Sequence, residues 1–454
     1  MKDIELIFKP YYQGYIDDLF GLLRIPGVLK KYDENNHEAP FGTPIRKSLY
    51  YMLDLARRDG FKAVNVDNYG GFIEWGKGDE VVVILCHLDV VPATGNWTNP
   101  PFDPIIKNGR IYARGSSDDK GPLMSTYYAL KMLKDEGYEP NKKLRFFFGC
   151  DEESGSRCLE HYIEKYPECD YGFSPDAQFP CIYAEKGIST IEMCGKSSDE
   201  RLVSFKSGTA ANVVPDKAET ILKDINLKEE FLSFASLNNL KAEVNGNEYI
   251  LYGEAAHGST PEKGINAALY LASFLKTHLS DSFISFLSDY LFNDFIGEKL
   301  GLEVPDQEMG HTSSNPAIFN LLNGEYRIVD NVRYTKSFEF DKMMGQLKER
   351  LNTMGISLRV LSNSPHHYVP KDSVLVKELL KAYNKWTPFL SEEDREPISI
   401  GGGTYARDFK NAVAFGVIFP DESESMHMPD ESADIHNLIL SSFIIMDAIR
   451  NLCD

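Results

Sequence analysis

Two apolar runs, "VVVILC" at 81–86 and "FFFGC" at 146–150, constrain this chain more than any other feature. Neither alternates apolar with polar residues, so each reads as a strand buried on both faces, the pattern of a parallel sheet. Between them, "GPLMSTYYALKMLKDEG" (121–137) has helical periodicity. Strand, helix and strand in that order imply a right-handed crossover. Upstream, "TPIRKSLYYMLDLARRDG" (43–60) reads as a helix with a glycine stop. "FDPIIKNGRIYARG" (102–115) carries an Asn-Gly between strand-like runs, a hairpin signal.

The texture changes after "IYAEKG" (182–187). From 188 to 367 strand pairs alternate with long amphipathic helices such as "GINAALYLASFLKTHL" and "FDKMMGQLKERLNTMG". From 368 the earlier pattern returns with the helix "DSVLVKELLKAYNKW", the turn "SIGGGTYARDF" and the strand "NAVAFGVIFP". A last helix, "DIHNLILSSFIIMDAIRNL", follows. The expected fold is α/β: residues 1–187 and 368–454 form one mostly parallel-sheet domain flanked by helices. An α+β domain, 188–367, is inserted into it.

Several function classes are disfavoured. A formal charge of −20 suits no nucleic-acid partner, because phosphate binding needs concentrated Lys and Arg. No run approaches the twenty or so apolar residues of a membrane span, and "MKDIELIFKPYYQGY" is not a secretory signal. The seven cysteines are scattered without CxxC spacing, which points to reduced thiols in a cytoplasm.

The first buried run ends in His87, with Asp89 two places on. Ligands of open α/β sheets gather outside the carboxyl ends of such strands. Further acidic and imidazole groups fall at similar exits: Asp118 and Asp119, Asp151 to Glu153, Asp176, and His427. Singly, each acid reads as a helix-start residue favoured by the helix dipole, and a loop histidine as an exposed one. Together they would crowd one crevice with like charges, a cost that divalent cations remove. Imidazole with carboxylate suits zinc, manganese or cobalt, and a carboxylate can bridge two ions.

"HLDVVP", "GSSDDKGP", "CDEESG", "SPDA" and "HMPDES" occur in an order that resembles the dinuclear, co-catalytic zinc metallopeptidase family of carnosinases, aminoacylases and desuccinylases. "AANVVPD", "GEAAHGSTPEKGINAA" and "GGGTYARDF" are similar to bacterial dipeptidases of the PepV type. The resemblance implies a catalytic domain interrupted by a lid, and hydrolysis of dipeptides by a metal-activated water. It assigns His87 and Asp176 to one ion, Glu153 and His427 to the other, and Asp118 to both, beside a possible cis bond to Asp119. Asp89 would accept the other ring N–H of His87 and fix its tautomer. Glu152 would be the general base and acid, His257 of the lid would stabilise the oxyanion, and Arg333 would take the substrate carboxylate. Asn212 would assist in substrate binding.

His436 is the rival of His427, but it begins a helix, whereas His427 has the family's spacing to Asp430 and Glu431. Arg407, His366 and His367 receive no role. The large insert implies a monomer. Competing readings are an N-acyl amino acid deacylase and a non-catalytic relative that binds metal or peptide. A nucleotide-binding protein is weaker, because "GGGTY" lacks the strand–GxGxxG–helix context.

Overall fold

The computed structural model describes residues 4–422 and 425–454. The chain divides into two compact units, 1–184 with 369–398 and 403–454, and 185–368 with 399–402. One boundary expectation needs correction. The Gly-rich segment 399–402 groups with the second unit, because Lys186 N–H donates to the Ile400 carbonyl at 3.0 Å and Arg333 Nη1 donates to the Gly401 carbonyl at 2.5 Å.

The first unit is built on a mixed sheet with a parallel centre. Val81–His87 lies between Lys143–Gly149 and Tyr171–Ser174, parallel to both, and Ala412–Ala414 continues the parallel set beside Tyr171–Ser174. Every residue of Val81–His87 is buried, as a strand without alternation should be. The margins run antiparallel: Gly70–Trp75 pairs with Lys143–Gly149, and Lys62–Val66 with Gly70–Trp75. Strand Ile182–Glu185 meets Ala412–Ala414 in the same sense. The parallel centre of this sheet thus includes the strands whose carboxyl ends lead to His87, Glu152, Glu153 and Asp176.

Local signals explain the connecting elements. Helix Thr43–Arg58 has Pro44 in its first turn, and Gly60, at φ 74°, follows its end. Ile105–Lys107 and Arg110–Tyr112 form the expected hairpin, with Asn108 at φ 51° and Gly109 at φ 76°. Positive φ at both central residues is what a tight type I′ turn requires. Helix Lys120–Asp135 crosses between the two central strands. It packs on the terminal helix Ile435–Cys453, which also contacts Val374–Trp386. The terminal helix is buried almost all round, Ser441, Ser442 and Asp447 included, although polar residues interrupt its apolar sequence.

The second unit is an eight-stranded sheet whose neighbouring strands all run antiparallel. Its helices include Lys228–Leu237, Ala267–Leu275 and Phe340–Thr353. Asn266 caps the second of these by accepting the Leu269 amide. The core joins Phe205, Phe231, Leu251 and Phe319 from strands and helices alike.

Candidate metal centre

Five chain segments near the carboxyl ends of the parallel strands supply the site of the first unit. His87 is the last residue of Val81–His87, and its backbone N–H donates to Asp119 Oδ2 at 2.8 Å. Asp118 and Asp119, joined by a cis peptide bond, immediately precede helix Lys120–Asp135. Glu152 and Glu153 follow Lys143–Gly149, and Asp176 follows Tyr171–Ser174. His427 comes from a late loop, in the left-handed region at φ 63°.

The side chains converge on Asp118. Its Oδ1 lies 3.0 Å from His87 Nε2, and its Oδ2 lies 2.8 Å from His427 Nε2. Asp176 Oδ2 is 3.4 Å from His87 Nε2, and Glu153 Oε2 is 3.2 Å from His427 Nε2. One carboxylate thus faces two imidazoles, each with a second carboxylate beside it. Ligand atoms of His87, Asp118 and Glu153 lie within 4.8 Å of one another, as do those of His87, Asp119 and Asp176. Tetrahedral bonds of about 2.0–2.1 Å put neighbouring ligand atoms about 3.3 Å apart, close to these separations.

The electrostatics favour a cation. Asp118 and Asp119 are buried, and Glu152, Glu153 and Asp176 are half-buried. Burial raises the Glu153 carboxyl to about 7, with Asp118 adding to the rise against His427 and His87. Burial likewise raises Asp176 to about 6, again with Asp118 adding. Glu152 is pushed well above the usual carboxylate range by burial, with Asp176, Glu153 and Asp118 adding and His87 opposing. His427 goes up to about 11 through its contacts with Asp118 and Glu153, although its side chain is 56 % exposed. Asp119 Oδ1, Glu153 Oε1 and Asp176 Oδ1 are buried with no hydrogen-bond partner. Unpaired buried oxygens and like charges are costly by themselves, so this oxygen and nitrogen donor set fits divalent ions.

Asp89 differs from expectation. Its backbone carbonyl, not its carboxylate, lies at hydrogen-bond distance from His87 Nδ1, at 3.0 Å; the carboxylate Oδ1 is 3.5 Å away. The carboxylate instead accepts the Glu152 amide at 3.1 Å and the Glu153 amide at 3.2 Å. These two bonds tie Asp89 to the loop that carries both acids.

His436 sits where its helix reading put it, its N–H donating to the capping Asp434. Within the second unit, Asn212 and His257 are brought together: Gly258 N–H donates to the Asn212 carbonyl at 2.7 Å, and His257 Nδ1 is 2.6 Å from Ser259 Oγ. Arg333 is buried, and its Nε donates to Asn331 Oδ1 at 2.9 Å. A cavity of about 950 Å³ in this unit, lined by Phe286, Tyr290, Tyr326 and Arg327 among others, contains none of the expected site residues.

Three buried residues escaped the sequence reading. Lys120 donates to the Leu22 and Ile25 carbonyls at 3.2 and 2.7 Å, and burial pulls its ammonium down to about 7. Tyr405 sets its ring edge-on to His87, with centroids 6.3 Å apart. Glu431 holds the turn before Asp118. The one available signal was a lysine opening an apolar helix; Tyr405 and Glu431 had none beyond lying in quoted motifs.

Imidazoles and carboxylates gathered at the carboxyl edge of an α/β sheet form a candidate metal centre. Residues 83–451 match peptidase family M20/M25/M40, and the chain belongs to that family. A Staphylococcus aureus (strain bovine RF122 / ET3-1) protein named "Putative dipeptidase" is 37% identical, over 98% of this chain and 98% of its own. The homologue of strain MRSA252, with the same kind of name, is 38% identical over the same shares. The fold is similar to that of human carnosine dipeptidase 1, with a TM-score of 0.61 at 13% identity, covering 100% of this chain and 98% of that one. It is also similar to that of aminopeptidase PepT from Bacillus cereus ATCC 10987, with a TM-score of 0.59 at 15% identity, covering 97% and 98%. Among the described residues, no helix is long and apolar enough to cross a membrane.

Proposed function

We propose that this chain is a dinuclear metallo-dipeptidase. The observation that carries the reading is Asp118, whose two carboxylate oxygens face different imidazoles beside orphaned acid oxygens. His87 and Asp176 would hold one ion, Glu153 and His427 the other, and Asp118 both. Zinc suits this donor set best, with manganese and cobalt as alternatives. Bound ions would supply Lewis acidity to the scissile carbonyl and to the attacking water.

The chain's own residues would do the rest. Glu152, held in place through its amide by Asp89, accepts the proton of the attacking water and returns it to the leaving nitrogen. His257 donates to the developing oxyanion, and Arg333 takes the substrate carboxylate, with Asn212 assisting. Two recognised ends, a free amine and a free carboxylate, would restrict substrates to dipeptides. The seven unpaired cysteines support a reducing, cytoplasmic setting, and the reading has the chain working as a monomer.

Chelated protein assayed on a dipeptide set, and on N-acetyl and N-succinyl amino acids, after return of each ion separately tests the proposal. Dipeptides are expected to be cleaved only after an ion is restored. Faster release from the N-acyl compounds would make the chain a deacylase, and no turnover of either set at full metal occupancy would make it a binding protein. Replacing His257 with Ala is expected to lower kcat by about 10²–10³-fold, the usual effect of losing one oxyanion donor. An unchanged kcat would remove His257 from the chemistry.

A further inference from the structure

Glu431 is fully buried, four residues after His427. Its Oε1 accepts three backbone amides, from Gly115 at 3.0 Å, Ser117 at 2.9 Å and Asp118 at 3.2 Å. Its Oε2 accepts Arg114 Nη1 at 2.5 Å. Arg114 is itself buried and lies over the Trp97 ring, 5.1 Å from its centroid. With both oxygens engaged in this way, the carboxylate is oriented away from metal ligation.

The consequence lies in what those amides carry. Asp118 is attached to the segment 427–431 at both ends: its amide to Glu431 and its Oδ2 to His427 Nε2, at 2.8 Å. Asp430 adds an outer tie by accepting the Thr98 amide at 2.8 Å. A turn with three amides, those of Gly115, Ser117 and Asp118, pointing at one carboxylate oxygen has little freedom to rotate. The backbone that bears Asp118 is therefore fixed without any contact from its own carboxylate.

We propose that Glu431 is a positioning residue that sets Asp118 between the two imidazoles before any ion arrives, and locks the His427 loop to it. The proposal rests on the dinuclear reading of the site. Groups that orient metal ligands commonly change affinity by about 10–100-fold when removed. Glu431→Gln in the full chain is expected to keep the two-ion stoichiometry of zinc or manganese while weakening binding by about that factor.

Leaving Arg114 buried without its partner would also destabilise the variant. The double variant Glu431→Gln with Arg114→Met removes that defect. It is expected to recover the thermal midpoint of the metal-free protein without recovering ion affinity. Affinity that returns together with the midpoint, or wild-type affinity in Glu431→Gln, would overturn the proposal and leave Glu431 a purely structural residue.

Hydrogen exchange on the unaltered, chelated protein supplies a test independent of how the variants fold. Amides 115, 117 and 118 are expected to be protected to a similar degree with and without ions. Rapid exchange in the metal-free protein would mean that the ion, not Glu431, orders the turn. A wild-type chain that binds no ion at all would instead defeat the dinuclear reading, and the exchange result would still report on the turn.

Discussion

Glu152→Gln is expected to bind both ions as the unaltered chain does and to lose about 10²–10⁴-fold in kcat, the range for removing a positioned general base or acid. The separation of the two effects follows from geometry. Glu152 is aimed through its backbone amide by Asp89, and no ligand contact in the cluster runs through its side chain. Glutamine keeps the volume and the backbone tie but cannot accept a proton. Metal content by mass spectrometry beside single-turnover kinetics on a dipeptide checks it. Loss of an ion in this variant would make Glu152 a ligand, and the neighbouring Glu153 would then become the candidate base.

Asp118→Ala is expected to abolish activity and paired ion binding together. His87 and His427 would each keep one other carboxylate, Asp176 and Glu153 respectively, but nothing would link the two halves. Ions that bind the native state alone stabilise it by about 2.7 kcal/mol when present at 100 times their dissociation constant. The unaltered chain should therefore melt higher after ions are restored to chelated protein, and Asp118→Ala should gain much less. Calorimetric scans with and without the ion measure this directly. An equal rise in both proteins would remove Asp118 from the metal centre.

Much of the first unit was legible because its signals are local. The unbroken apolar run 81–86 called for burial on both faces, and Asn108-Gly109 between strand-like runs signalled a hairpin. The acids and imidazoles were found because strand exits are where an α/β sheet can present polar groups. The antiparallel margins were not legible, since the pairing sense of an edge strand leaves no mark on its periodicity. The move of 399–402 to the second unit rests on hydrogen bonds to Lys186 and Arg333, whose partners lie far away in sequence. Asp89 shows the limit at shorter range: its spacing from His87 suggested a side-chain partner, but the backbone carbonyl stands closer.

By itself the sequence determined which groups were available and at which strand ends they would emerge, because apolar burial and turn chemistry act over a few residues. Only the tertiary structure decided which oxygen of each acid meets which nitrogen. Glu431 reaches the Asp118 amide across 313 positions of chain, and a bond of that kind depends on two segments being packed to within a fraction of an ångström. Hydrogen bonds are short and directional, whereas the periodicity of a sequence specifies only which face a residue shares.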